Sequence, residues 1–188
     1  MAGVARADSW ATDAHKWLNV GYDSGFVAVR DPRAHRAAMS AVPAAYLMQD
    51  KAHRDSWEFV LDSSRRARGF IIYAALRSLG RNGVRELVER CCRLARQMAE
   101  RLGAAEGVEI LNDVVLNQVL VRFMPPDGGD PDAFTRDVLT RVQESGEAWM
   151  GGTTWHGMGA MRISVSNWST TEADIDRTAA AILRAAHR

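Results

Sequence analysis

The sequence predicts a mixed α/β chain, with an α+β layer of helices over a small antiparallel sheet in its later part. Ahead of that layer lies a stretch belonging to a larger sheet. Three observations lead there. From Val84 onward, apolar stripes at helical spacing alternate with short strand-like runs. Before residue 80 there is one convincing strand and some helix, too little for an independent core, so its other strands are expected outside this chain. With 188 residues, 47% hydrophobic and 25% charged, the chain has the balance of an ordinary folded domain, or of one domain with part of another.

Met1–Gly25 has no helical period and is rich in small, polar and aromatic residues. Gly25–Arg30 is a short apolar run with strand character. Asp31-Pro32 opens a helix, with aspartate at the N-cap and proline at the first helical position. From Pro43 to Ser64 the periodicity fails, which predicts a loop long enough to be functional. Arg65–Leu79 predicts a helix stopped by Gly80. A longer helix follows from Val84 to Gly103, striped by Leu87, Val88, Cys91, Leu94, Ala95, Met98 and Leu102.

Val108–Leu111 and Gln118–Phe123 predict strands, and Pro125–Pro131 a loop. Phe134, Val138, Leu139 and Val142 stripe the next helix. Glu147–Met150 and Met161–Val165 predict two further strands, separated by a glycine-rich connection over Gly151–Gly159. The last helix carries Ile175, Ala179, Ile182 and Leu183 on one face, and Thr171 with Asp174 gives it a capping box.

Charge narrows the function classes. With 24 basic and 23 acidic residues the net charge is +1, which predicts no nucleic-acid partner. The arginines at 65, 66 and 68 are expected to pair with acids or pack at a subunit contact. No apolar run is long enough to cross a bilayer, and no signal core is visible near the N-terminus, so a cytoplasmic, membrane-free protein is expected. The adjacent cysteines, Cys91 and Cys92, point in different directions on a helix and predict neither a disulfide nor a zinc site. His35 and His187 read as surface residues, and no ligand spacing suggests a metal.

Only two of the basic residues are lysines, Lys16 and Lys51. Lys16 has an imidazole before it, His15, and Trp17 and Leu18 after it. An amine is nucleophilic only when deprotonated, and an apolar slot favours that state, so Lys16 suits a Schiff-base lysine. On local composition alone, a surface lysine beside a packing tryptophan accounts for the same residues more readily.

The segment Ser9-X-X-X-Asp13-X-His15-Lys16-Trp17, followed by a strand ending in Val29-Arg30-Asp31, resembles the pyridoxal-phosphate segment of the group II amino-acid decarboxylases. That family includes the aromatic-amino-acid and glutamate decarboxylases. Further stretches agree in order: Ser64-Arg-Arg-Ala-Arg-Gly69 with Ala75-Leu-Arg-Ser-Leu-Gly80, then Leu116–Arg122, then Met161–Asn167. Together they span nearly the whole chain.

The resemblance implies the C-terminal part of a fold-type-I enzyme dependent on pyridoxal 5'-phosphate. Residues 1–80 would be the tail of the large cofactor-binding domain and residues 81–188 the small α+β domain. It implies that Lys16 is the Schiff-base residue and that His15 lies near the cofactor phosphate. Asp13 stands where these enzymes commonly have an asparagine contacting that phosphate. A carboxylate there repels a phosphate dianion unless it is protonated or paired. The expected reaction is decarboxylation of an L-amino acid by a homodimer.

Two departures bear on that reaction. The family's ring-stacking residues and the aspartate that pairs with the pyridine nitrogen precede the lysine segment, so decarboxylation by this chain alone is expected to be impaired or absent. The family's loop tyrosine has no counterpart between Tyr46 and Tyr73, leaving Trp57, His53 or a residue of a partner subunit as substitutes. The alternatives are an aldehyde-forming or transaminating pyridoxal-phosphate reaction, or a non-catalytic remnant that associates through exposed Phe26, Val27, Phe70 and Ile71.

Overall fold

The computed structural model describes residues 2–39, 53–62 and 64–187, so residues 43–52 and 63 of the loop expected over Pro43–Ser64, Tyr46 among them, lie outside the described residues. The chain divides into two compact units, Met1–Ser78 and Leu79–Arg188.

In the first unit, β1 (Ser9–Asp13) and β2 (Gly25–Val29) pair antiparallel, from Ser9 opposite Val29 to Asp13 opposite Gly25. β2 lies where the apolar run predicts it. β1 does not announce itself, because Ser-Trp-Ala-Thr-Asp lacks the alternation of a half-buried strand; all its residues are exposed in this unit. Between the strands sits α1 (Ala14–Trp17), a single turn. α2 (Pro32–Met39) starts as expected, with Asp31 Oδ1 accepting the Arg33 amide at 2.8 Å and the Ala34 amide at 3.2 Å.

α3 (Arg68–Gly103) is one long element broken at Gly80. There φ is +62° and ψ −178°, a conformation open to glycine and costly for a residue with a Cβ. The glycine expected to stop one helix before the next thus does so.

The second unit is a four-stranded antiparallel sheet in the order β3-β4-β6-β5: β3 (Val108–Ile110), β4 (Gln118–Phe123), β5 (Gly151–Trp155) and β6 (Met158–Ser164). α4 (Pro131–Ser145) and α5 (Glu172–Ala186) complete it. Its core joins Leu94, Met98 and Leu102 of α3 to Val119, Val121 and Phe123 of β4, Met161 and Ile163 of β6, and Val138, Val142 and Ile182 of the later helices. The periodic stripes therefore identify the buried faces. Thr171 and Asp174 form the expected capping box, with the Thr171 amide donating to Asp174 Oδ2 at 3.0 Å.

One expectation is corrected. Residues 147–150 are not a strand, and Gly151–Gly159 is not a connection but most of a hairpin. His156 (φ +48°) and Gly157 (φ +80°) make its two-residue turn, the positive-φ pair that matches strand twist. Gly152 and Gly159 are there for close approach. A Cβ on Gly159 would come within 3.1 Å of Asp132, and one on Gly152 within 3.3 Å of Leu139, both on α4.

Among the described residues, no helix is long and apolar enough to cross a membrane.

Candidate functional site

All three candidate site residues lie where β1 runs into the link to β2. Asp13 ends β1, and His15 and Lys16 occupy α1. The base of this link is closed by the Ala14 amide donating to Ser24 O at 2.9 Å. Ala14 and Ser24 are both buried, and Ser24 Oγ donates to Gly21 O at 3.0 Å. Asn19, in the left-handed region with φ +51°, ends the turn and donates through Nδ2 to Lys16 O at 2.9 Å. The backbone around Lys16 is thus fixed by short-range polar contacts.

The side chains divide between two clefts. Lys16 lines a cleft of about 630 Å³ with Trp17, Phe26 and Val27. His15 lines a larger one of about 1190 Å³, with Asp23, Phe59 and Arg68 along its wall. Asp13, Gly25, Phe26 and Val27 border both. Lys16 Nζ pairs with Asp13 Oδ2 at 2.6 Å, and both side chains are about half exposed or more, at 65% and 48%. The hydrogen bond and charge of that ammonium hold the Asp13 carboxyl below its usual range. His15 stacks on Tyr22, with ring centroids 4.0 Å apart and planes at 27°. Its Nδ1 is buried and, among the described residues, has no hydrogen-bond partner.

The structure therefore brings Asp13 and Lys16 together and turns His15 to the other side. Tyr22 is the site residue that sequence reasoning missed; it follows His15 by seven residues, a helical interval, but α1 ends at Trp17, so the folded link and not a helix makes them neighbours.

Behind His35, Ser56 and Phe59, which line the larger cleft, lies an organised polar cluster. Glu58 is buried, and its Oε1 accepts from Arg36 Nε of α2 at 2.7 Å. Its Oε2 accepts the Asp55 amide at 3.0 Å, closing a capping box around the turn Ser56–Phe59. Arg54 donates to Glu58 O, meets His35 Nδ1 at 3.2 Å and lies 4.0 Å from the Phe59 ring centroid. His35 is thus half-buried in a polar cluster, a correction to its expected place on the surface. The spacing Asp55-X-X-Glu58 was the available signal, hidden in a run of charged residues.

Of the three arginines, Arg68 forms a two-point pair with Asp23, Nε and Nη2 each at 2.9 Å from a carboxylate oxygen. Arg65 donates to Ser56 O at 2.9 Å. Both serve structure, as the neutral composition suggested. Phe26 (52% exposed), Val27 (49%) and Phe70 (73%) are open as expected, whereas Ile71 is half-buried.

The sequence matches the family model for the pyridoxal-dependent decarboxylase conserved domain over residues 1–124. It is 26% identical to tyrosine decarboxylase 3 of Petroselinum crispum, over 96% of this chain and 36% of that protein. The fold is similar to that of Oryza sativa TDC, solved with PLP and tryptamine: TM-score 0.89 at 20% identity, over 99% of this chain and 40% of that one. A 4-hydroxyphenylacetaldehyde synthase of Rhodiola rosea gives a TM-score of 0.84 at 23% identity, over 99% and 38%. The chain thus spans about two-fifths of the length of these relatives, and its α/β architecture fits the C-terminal portion of a fold-type-I enzyme.

Proposed function

The chain belongs to the pyridoxal-dependent decarboxylase family, and from that premise we propose that it is the portion of an L-amino-acid decarboxylase that holds pyridoxal phosphate through Lys16. The observation that carries the reading is local. The family match covers the link between β1 and β2, and this link presents an accessible amine on a turn with a fixed backbone. The buried, unpartnered Nδ1 of His15 beside it is a polar atom awaiting a partner, which a phosphorylated pyridine could supply. On these two counts the residues present fit the cofactor.

When bound, pyridoxal phosphate supplies an electron sink for the pair left at Cα as carbon dioxide departs. The protein's own residues do the rest. Lys16 Nζ would be the attachment point and, once displaced by an amino acid, the ammonium placed to deliver a proton at Cα. His15, its ring stacked on Tyr22, would hold the cofactor from the side of the larger cleft. Phe26 and Val27 provide apolar surface beside both clefts.

In the same reading residues 1–80 end the large domain and residues 81–188 form the small one, supported by the two compact units. We place the enzyme in the cytoplasm as a homodimer; the association is supported by the apolar side chains that the first unit leaves open. An aldehyde-forming reaction is the second reading. It is favoured by the similarity to the phenylacetaldehyde-type synthase and by the lack of any tyrosine between Tyr46 and Tyr73.

The test is to add pyridoxal phosphate, reduce with borohydride and map the label. It is expected on Lys16, with a visible absorption band that Lys16→Ala lacks. Equal labelling of Lys16 and Lys51 would remove the basis for the assignment. Amine or aldehyde released with carbon dioxide from L-amino acids then separates the two readings.

A further inference from the structure

Asp13 is the departure from the family pattern, and the structure gives it an occupation. Its carboxylate faces the Lys16 ammonium at 2.6 Å across one helical turn. Around the smaller cleft the other lining residues are uncharged: Ala11, Thr12, Trp17, Gly25, Phe26 and Val27. On the larger-cleft side, His15 is stacked on Tyr22, Asp23 is engaged by Arg68, Arg65 donates to Ser56 O, and Arg66 donates to Tyr22 O at 3.5 Å. Among the described residues that line the cleft holding Lys16, Asp13 is therefore the acidic group.

We propose that Asp13 is a positioning residue for Lys16, whose carboxylate holds Nζ in place as an ammonium and so opposes the proton loss that attachment of a carbonyl compound at Lys16 requires. The inference rests on the reading of Lys16 as the attachment residue. An ammonium has no lone pair, so Nζ must release a proton to water before it can bond to a carbonyl carbon. The carbonyl oxygen then leaves as water, with no oxidation or reduction. A nearby carboxylate opposes that release because it favours the charged amine. An asparagine at the same position could accept a hydrogen bond but would supply no charge. The aspartate thus acts before the phosphate of any ligand arrives, and it offers an explanation of how a carboxylate is tolerated there: it is already paired.

The experiment uses the two lysines as each other's control. The whole cofactor-free protein is treated with trace acetic anhydride across pH 6–10, and acetylation of Lys16 is measured relative to Lys51. Exposed ion pairs are worth a fraction of a kcal/mol to about 1 kcal/mol, so Asp13→Asn is expected to raise the Lys16 to Lys51 ratio by ~2–5-fold near pH 8. The midpoint of the Lys16 profile should move to lower pH, and Asp13→Glu should restore the original ratio. An unchanged or lower ratio in Asp13→Asn overturns the proposal, as does failure of Asp13→Glu to restore it.

The cofactor arm is separate. If pyridoxal phosphate and borohydride label Lys16 while the acetylation ratio ignores Asp13, the attachment reading stands and this one falls. If the ratio responds but the label lies elsewhere, the pairing is real, the attachment reading falls, and the gating of attachment falls with it.

Discussion

The two units are built on different principles. In Leu79–Arg188, Val119, Val121, Val138, Val142, Met161 and Ile182 are fully buried, and stripes from three helices converge on one sheet. In Met1–Ser78 the buried hydrophobic side chains, among the described residues, are Ala14 and Ile72, and the buried polar ones are Ser24 and Glu58. The first unit relies on hydrogen bonds and ion pairs: Ala14 to Ser24, Arg68 to Asp23, Arg36 to Glu58. Every candidate site residue belongs to this unit. Hydrocarbon packing and chemistry are therefore concentrated in different parts of the chain, and the site is held by polar contacts that each contribute little on their own.

The largest expected effect is the contrast between two phenylalanines. Phe123, 1% exposed, should cost about 3–5 kcal/mol when cut to alanine. Phe70, 73% exposed, should cost within about 0.5 kcal/mol. Urea denaturation of the full chain measures both, and similar losses would break the contrast.

Next comes Glu58→Ala. It removes the acceptor for Arg36 and for the Asp55 amide, and should cost about 1–3 kcal/mol. Arg36 is partly exposed and can turn to water, which keeps the loss below that of a fully buried pair. Faster hydrogen exchange at the Asp55 amide is the local signature, and unchanged protection there would show that the first unit does not depend on this contact.

The smallest effect is on pH dependence. Asp13 and Asp23 in the first unit, and Asp174 and Asp176 in the second, have carboxyls held below their usual range. The largest causes are hydrogen bonds from Lys16, Arg68, Thr171 and Arg101 respectively. A lowered folded value means the contribution is present above the ordinary aspartate range, about pH 4, and is lost as pH falls through the folded value. Stability should therefore be flat from pH 7 to 5 and fall below about pH 4 in both units. A decline already complete at pH 5 would contradict these shifts.

Much of this was legible in the sequence, unevenly. Helical stripes such as Ile175, Ala179 and Ile182 record burial directly, because a helix that packs on one face must repeat its apolar residues at that interval. Gly80 and the Thr171–Asp174 box mark their turns by local chemistry that needs no partner. The order of motifs around Lys16 pointed to the family that the match over residues 1–124 establishes.

The tertiary structure alone decided the rest. The hairpin across Gly151–Gly159 was hidden because Gly152 and Gly159 answer to α4 on the neighbouring layer, and composition records them only as loop residues. Likewise no continuous helix or strand places Tyr22 on His15, or Arg36 against Glu58, since these contacts form only when a turn or a loop folds back. The partners of Asp13 follow the same logic. Sequence supplied a carboxylate beside a lysine; folding chose the amine as its partner and put the imidazole in the other cleft, because side-chain direction on a single turn depends on which backbone groups close it.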